Sequence, residues 1–186
     1  MSGGIMTGKT VIITGATSGL GFVAAGRLAE FGARLVLVAR NRDKAEAMLR
    51  QLREKHPGLE AQIQIADLSS LGELRRLAAA LLQAAPRIDV LINNAGAIFT
   101  RRETTVDGLE RSFALNHMAY FLLTSLLLDR LKAGAPARIV NVASGASQRE
   151  LGFRRSPDRK KLQRLARLPA LQARQYPVHP RTGAKA

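Results

Sequence analysis

The sequence of 186 residues contains no cysteine and no tryptophan. Without cysteine, disulfide bonds and thiolate metal sites are excluded, and we expect no metal. No run of about 18 uncharged apolar residues occurs, which excludes an ordinary transmembrane helix. Residues 1–9 also lack the apolar core of a signal peptide. Together these absences predict a cytoplasmic protein with no membrane partner.

Acidic and aromatic residues are also scarce. The chain has 14 Asp and Glu residues against 29 Lys and Arg residues, a formal net charge of +15, and aromatic residues make up 4% of it. Residues 154–186 contain ten Lys and Arg residues and a single acid, Asp158. Such a segment can bind nucleic acid or anionic lipid. Its one aromatic residue, Tyr176, gives base stacking little support, so we expect no nucleic-acid partner.

What the chain does have is an alternation of short apolar runs and amphipathic segments. The runs predict strands near 10–14, 34–39, 61–66, 88–92 and 137–142, and the periodic segments predict helices near 19–31, 42–55, 70–84 and 108–132. A breaker cluster at 56–58 ends the second helix, and Ser69 or Ser70 can cap the third. The alternation predicts an α/β fold, a Rossmann-like doubly wound parallel sheet with right-handed crossovers.

The pattern of the chain changes after Ser147. From Arg154 onwards no strand pattern is present, and Pro169, Pro177 and Pro180 would break any long helix. We therefore predict an NAD(P)-binding Rossmann domain over residues 1–152 and an aberrant, disordered basic tail over 153–186. The sheet is expected to be incomplete at its C-terminal end.

The most informative segment is 14–21, which reads Thr-Gly-Ala-Thr-Ser-Gly-Leu-Gly. It follows an apolar run and opens an apolar-periodic segment, as strand, turn and helix would. Glycine lets the backbone turn tightly and approach a ligand, and a helix N-terminus offers N–H groups to a phosphate. The alternative is a tight turn without a ligand. The segment predicts these cofactor-binding residues: Gly15, Thr17, Ser18, Gly19, Leu20 and Gly21.

Two later strand ends add candidates for the adenosine part of a dinucleotide. Arg40 follows the second strand, where an acid would bind the ribose 2′-OH and an Arg accepts a 2′-phosphate. This residue favours NADP over NAD, the alternative being a solvated Arg at a helix start. Asp67 and Leu68 follow the third strand, where the carboxylate would receive the adenine amino group. A role in the cap region of the next helix is the alternative.

The fourth strand ends in Asn93-Asn94-Ala95-Gly96. The amides offer donors and acceptors, and the small residues permit close approach, so Asn94, Ala95 and Gly96 join the predicted cofactor site. Thr-Gly-x-x-x-Gly-x-Gly followed by Asn-Asn-Ala-Gly resembles the signature pair of the short-chain dehydrogenase/reductase family. The resemblance covers about residues 8–152. The amino-acid sequence at 107–110 and 121–124 is most similar to that of the retinol dehydrogenase/WW-domain oxidoreductase-like branch.

The resemblance implies an NADP(H)-dependent oxidoreductase that transfers a hydride between cofactor and a small-molecule carbonyl or alcohol. Asn116 is similar to the family's catalytic Asn, which holds a water in a proton relay, and Ser144 to its catalytic Ser, which binds the substrate oxygen. Without the resemblance, a polar helix residue and a turn Ser are the simpler interpretations. Relatives assemble through the helix around Asn116 and a second helix, so a homo-oligomer of that type is doubtful here.

One part of the family pattern is missing. By resemblance, a Tyr that acts as general acid/base should follow Ser144, with a Lys four residues later that lowers its pKa. Tyr176 is followed at that spacing by Pro180, and Tyr120 lies upstream. We therefore expect impaired catalysis, and a non-catalytic NADP-binding pseudo-enzyme fragment is the alternative function.

A shift of the reading frame near residues 152–155 would explain the tail. If the frame moves forward by one nucleotide, each codon takes the last two bases of one residue and the first base of the next. The junction after Leu168 then permits a Tyr codon, that after Leu171 a Ser codon, and that after Gln172 a Lys codon. The shifted string, Tyr-x-x-Ser-Lys-Leu-Ala-Asn-Ile-Leu-Phe-Thr, resembles the missing motif, with its Tyr 24 residues after Ser144. The alternative is that the tail is a diverged segment read in the original frame.

Loss of that region has structural consequences that we also predict. The fifth strand should be an unprotected sheet edge. The apolar helix around residues 120–128 should lack a packing partner and expose a large patch. We expect marginal stability and aggregation.

Overall fold

The computed structural model describes residues 4–144, which belong to one compact unit ending at Ser144. The predicted tail 153–186 and residues 145–152 lie outside the described residues, so the predicted boundary at 152 stays a prediction. In chain order the elements are β1 Thr10–Thr14, α1 Gly19–Glu30, β2 Arg34–Ala39, α2 Arg42–Lys55, β3 Ala61–Ile65, α3 Leu71–Ala84, β4 Val90–Asn93, α4 Arg111–Phe113, a π-helical turn Ala114–Met118, α5 Ala119–Ala133 and β5 Arg138–Asn141.

The five strands form one parallel sheet in the order β3-β2-β1-β4-β5. β1 is central, and its Ile12 is paired with Val36 on one side and Leu91 on the other. The chain therefore winds outwards to β3 and then crosses back to β4. Such a reversal leaves a crevice at the carboxyl ends of the strands. The predicted doubly wound α/β fold is confirmed, with strand bounds within two residues of those predicted.

Alternation along the buried strands divides the core into two layers. Val11 and Ile13 of β1 pack with Leu49 of α2 and the small residues of α1 on one face of the sheet. Ile12 packs on the other face with the side chains of α3 and α5. Because successive strand residues point to opposite faces, continuous apolar runs bury both faces. The described helices thus hold the strand ends in fixed positions.

The predicted helix over 108–132 is wrong at its start. A tight turn closed by a bridge between Thr104 and Glu110 precedes it, and Gly108 has a φ of 75°, outside the helical region. The helix begins only after Glu110, whose carboxylate accepts two backbone N–H groups of the first turn. Residues Ala114–Met118 then form the π-helical turn. Such turns are frequent at functional sites.

β5 lies at one edge of the sheet, and all four of its residues are exposed. Ile139 and Val140 are 42% and 43% exposed, and they point to opposite faces. The predicted exposed edge is confirmed for residues 4–144. On α5, Phe121 is 55% exposed, whereas Leu123 and Leu127 are buried. Phe121 is the one exposed residue over 120–128, so the predicted large patch is wrong for this described segment.

Among the described residues, no helix is long and apolar enough to cross a membrane. The cytoplasmic location remains a prediction.

Candidate functional site

A cavity of about 420 Å³ opens at the carboxyl end of the sheet. Residues after all five strands contribute to its wall, because the carboxyl ends of parallel strands meet at one edge. Every residue that the sequence assigns to the cofactor lies on this wall, although the segments are far apart in the chain. These residues are Gly15, Thr17, Ser18, Gly19, Leu20, Gly21, Arg40, Asp67, Leu68, Asn94, Ala95 and Gly96. Their convergence is observed, and their individual roles stay predictions.

The Gly-rich turn requires its glycines. Gly15 and Gly19 have φ values of 66° and 54°, which disfavour any other residue. A Cβ on Gly21 would lie 2.3 Å from the Gly15 carbonyl oxygen and 2.6 Å from the side-chain nitrogen of Asn94. Ser18, at the N-cap of α1, makes no capping hydrogen bond with its side chain, and the first turn of this described helix holds no acid. The turn therefore fits a phosphate group at the helix N-terminus.

A polar contact fastens this turn to the end of β4. The hydroxyl of Thr14 accepts hydrogen bonds from the backbone N–H groups of Asn94 at 2.9 Å and Ala95 at 3.0 Å. The side-chain amide of Asn94 donates in return to the carbonyl oxygens of Thr14 at 2.9 Å and Gly15 at 3.2 Å. Asn94 thus lines the cavity while its amide group shapes the turn.

Arg40 and Asp67 lie on the wall beyond the ends of β2 and β3. The Asp67 carboxylate accepts hydrogen bonds from the backbone N–H and hydroxyl of Ser69, at 2.9 and 2.7 Å. Burial raises the pKa of Asp67, but these bonds and the charges of Arg40 and Arg111 outweigh it and hold the pKa below its ordinary value. The N-cap of α3 is Ser70. Asp67 is therefore a charged acceptor beside the cavity at neutral pH.

The two predicted catalytic residues lie close to lining residues of this cavity without lining it themselves. Neither Asn116 nor Ser144 is among the described residues on the cavity wall. Asn116, in the π-helical turn, accepts from the backbone N–H of Ala97 at 3.0 Å and donates to its carbonyl oxygen at 2.9 Å. Ser144 is the last described residue, two positions after Val142, which lines the cavity. Their catalytic roles stay predictions.

Sequence reasoning assigned no role to Thr14, whose hydroxyl fastens the Gly-rich turn to the end of β4, nor to several residues that line the cavity, including Phe99 and Arg111. Thr14 had a signal, a hydroxyl at the end of an otherwise apolar buried strand. Phe99 and Arg111 lie in and after an irregular loop. Hydrophobic periodicity does not identify such positions. The turn that brings Arg111 to the cavity was also missed because the helix was predicted to begin at about residue 108.

Comparison with known proteins agrees with this geometry. The sequence profile of the family described as short chain dehydrogenase matches residues 9–154. The chain belongs to the short-chain dehydrogenase family. Human retinol dehydrogenase 13 is 44% identical over 137 residues, covering 74% of this chain and 41% of the relative. Retinol dehydrogenase 14 of Mus musculus is 46% identical over 151 residues, covering 76% and 45%. The expected retinol dehydrogenase-like branch is confirmed.

Solved structures place this short-chain dehydrogenase in the same fold. A metagenomic short-chain oxidoreductase in complex with NADP has a TM-score of 0.68 and 31% identity, covering 77% of this chain and 66% of that one. A short-chain dehydrogenase from Sphingobium yanoikuyae in complex with NADPH has a TM-score of 0.65 and 36% identity, covering 74% and 54%. The chain spans less than half the length of the two retinol dehydrogenases. Fold and family together support a nicotinamide cofactor.

Proposed function

We propose that this chain binds NADP(H) and forms the cofactor-holding half of an oxidoreductase acting on a carbonyl or alcohol. The convergence of the Gly-rich turn, Arg40, Asp67 and Asn94 on one cavity carries the proposal. Two proteins of the same fold were solved with NADP or NADPH, which supports the same cofactor class.

Each part of the cavity suits one part of the dinucleotide. The first turn of α1 holds the pyrophosphate, because its N–H groups lack acceptors within the helix. Arg40 takes the 2′-phosphate, since a guanidinium binds phosphate through two parallel hydrogen bonds. An acid at that strand end would repel the phosphate and select NAD. Asp67, ionised, accepts the adenine amino group.

The hydride chemistry belongs to the nicotinamide cofactor when it is bound. Of this chain's residues, Ser144 would bind the substrate oxygen and Asn116 would hold a relay water, as the family resemblance implies. The proton on the substrate oxygen requires a general acid/base, and neither Tyr120 nor Tyr176 has a Lys four residues later. Lack of that group should lower turnover by at least about 10²–10⁴-fold.

The alternative function is an NADP-binding module without catalysis. The missing Tyr and Lys favour it, because a cofactor cavity can persist after the acid/base is lost. Titration with NADPH followed by a turnover assay on retinal and simple aldehydes separates the two. Binding with slow turnover supports the impaired enzyme, and binding without any turnover supports the module.

Substitution of Arg40 by Met tests the cofactor assignment. We expect NADPH to bind about 10- to 100-fold more weakly, because a charge-assisted phosphate contact is lost, while NADH binding changes little. Arg50→Met, an exposed position on α2, is the matched control and should change neither. Equal losses for NADPH and NADH, or no loss, would argue against a 2′-phosphate contact at Arg40.

We also infer that the residues from about 153 onwards are read in a shifted frame. The family match ends at residue 154, next to the position at which the tail composition changes. A shifted frame requires particular codons in the DNA. Leu168 must have a codon ending in TA, Leu171 must be CTC, and Gln172 must be CAA, since only these give Tyr, Ser and Lys in the other frame. Sequencing the locus tests this, and any other codon at Leu168 excludes the Tyr.

A further inference from the structure

Arg111, the first residue of α4, lines the same cavity as Arg40 and Asp67. Its neighbours on the wall include Phe99 and Leu115. Arg40 follows β2, whereas Arg111 lies beyond the fourth strand. Two arginines from different elements therefore line the cavity, and the charges of both act on Asp67.

The guanidinium of Arg111 is held in a fixed position. Its Nη1 pairs with the carboxylate of Glu103, and its backbone N–H donates to the Glu103 carbonyl oxygen at 3.0 Å. The guanidinium carbon lies 4.6 Å from the centre of the Phe99 ring. The side chain is 28% exposed, so this cation is partly removed from solvent.

The turn that carries Glu103 is itself attached to α3. The carboxylate of Asp107 accepts a hydrogen bond of 2.8 Å from the backbone N–H of Leu71, the first residue of α3. Leu71 follows the loop of Asp67 and Leu68. The Asp107 side chain therefore ties the turn before Arg111 to the start of α3, close in the chain to Asp67.

The charges of both arginines act on Asp67 and contribute to its lowered pKa. The carboxylate can accept a hydrogen bond from an amino group of a ring, and a guanidinium beside it can stack on the face of the same ring. Adenine has both features, and a guanidinium over an aromatic face gains more when it is partly desolvated.

We propose that Arg111 recognises the adenine ring of the cofactor, as a second cation opposite Arg40. The inference rests on the proposed NADP(H) function and deepens it. Arg40 selects the 2′-phosphate, while Arg111 contributes equally to ligands with and without that phosphate. Glu103 and Phe99 hold the guanidinium ready for the ring.

Titration of Arg111→Met with NADPH, NADH and 5′-AMP tests the inference. All three ligands should bind about 5- to 30-fold more weakly, as the loss of a partly desolvated cation–π contact implies. Arg75→Met, an exposed position on α3, is the matched control and should leave all three affinities unchanged. A loss confined to NADPH would assign Arg111 to the phosphate and overturn the proposal, as would unchanged affinity.

Glu103→Ala separates direct contact from a purely structural role, because alanine removes the acceptor of Arg111 altogether. If Arg111 only fixes the loop through Glu103, this variant should weaken binding as much as Arg111→Met does, and that result would overturn the proposal. A contact with adenine predicts a change of less than about threefold in Glu103→Ala, because the guanidinium and Phe99 remain. Circular dichroism checks that each variant folds. If the unsubstituted chain fails to bind NADPH, the proposed function itself is wrong.

Discussion

At the scale of single residues, Gly21 has no room for a side chain. An alanine there would place its Cβ 2.3 Å from a backbone oxygen of the Gly-rich turn. We expect Gly21→Ala to destabilise the fold by about 1–3 kcal/mol through overpacking and to weaken NADPH binding at least tenfold. Urea unfolding and NADPH titration measure both effects.

Gly26 offers the control within the same helix. A Cβ there would lie 3.8 Å from Leu52, an ordinary contact. Gly26→Ala should raise the free energy of unfolding by about 0.5–1 kcal/mol, because alanine favours the helix. Similar losses in both variants would show that the close approach at Gly21 has no special role.

Asp89 predicts a pH dependence of stability. Its carboxylate, 3% exposed, accepts hydrogen bonds from Lys9, Arg87 and the backbone N–H of Thr10. Burial alone would raise its pKa, but these partners have the larger and opposite effect. The pKa in the folded chain therefore lies below its ordinary value. Its stabilisation is therefore complete above the unfolded pKa of about 4 and is lost as the pH falls through the folded pKa.

Asp89→Asn tests this sign. We expect the variant to be less stable by about 1–2 kcal/mol near pH 7 and the difference to shrink towards pH 3. Urea unfolding at both pH values measures it. A difference that stays constant with pH would contradict the role of the ionised carboxylate.

At the scale of elements, the contact between β1 and β4 holds the site together. Thr14→Val keeps the shape of the side chain but leaves the N–H groups of Asn94 and Ala95 without their acceptor. We expect a loss of about 2–4 kcal/mol in the free energy of unfolding. Thr14→Ser keeps the hydroxyl and should lose about 1 kcal/mol. Equal losses in thermal or urea unfolding would show that packing, not the hydroxyl, holds the two strand ends together.

The elements also show what the sequence can and cannot predict. Buried parallel strands read as apolar runs, so β1 and β2 were predicted at their observed bounds. The cofactor residues follow strand ends, which the fold brings to one edge. The turn before Glu110 was missed although Asp107-Gly108 is a turn signal and the Glu110 cap is local, whereas the link from Asp107 to α3 is a tertiary contact that the sequence does not reveal. Arg111 was missed together with this turn.

At the scale of the whole molecule, the edge strand β5 predicts self-association. Its apolar residues are exposed on both faces, and such edges pair with other chains. Val140→Lys should raise the concentration at which light scattering appears. Val106→Lys, at a position already 91% exposed in a turn, should not. If both variants associate like the unsubstituted chain, β5 is not the contact.

We propose that this short-chain dehydrogenase has a cofactor site selective for NADP(H), whether or not it turns over a substrate. Direct titration of the chain with NADPH and NADH, with cofactor fluorescence as the signal, tests this proposal. We expect saturable binding of one NADPH per chain, at least tenfold tighter than NADH, because Arg40 follows β2 where an acid would select NAD. No saturable binding, or tighter binding of NADH, would contradict it.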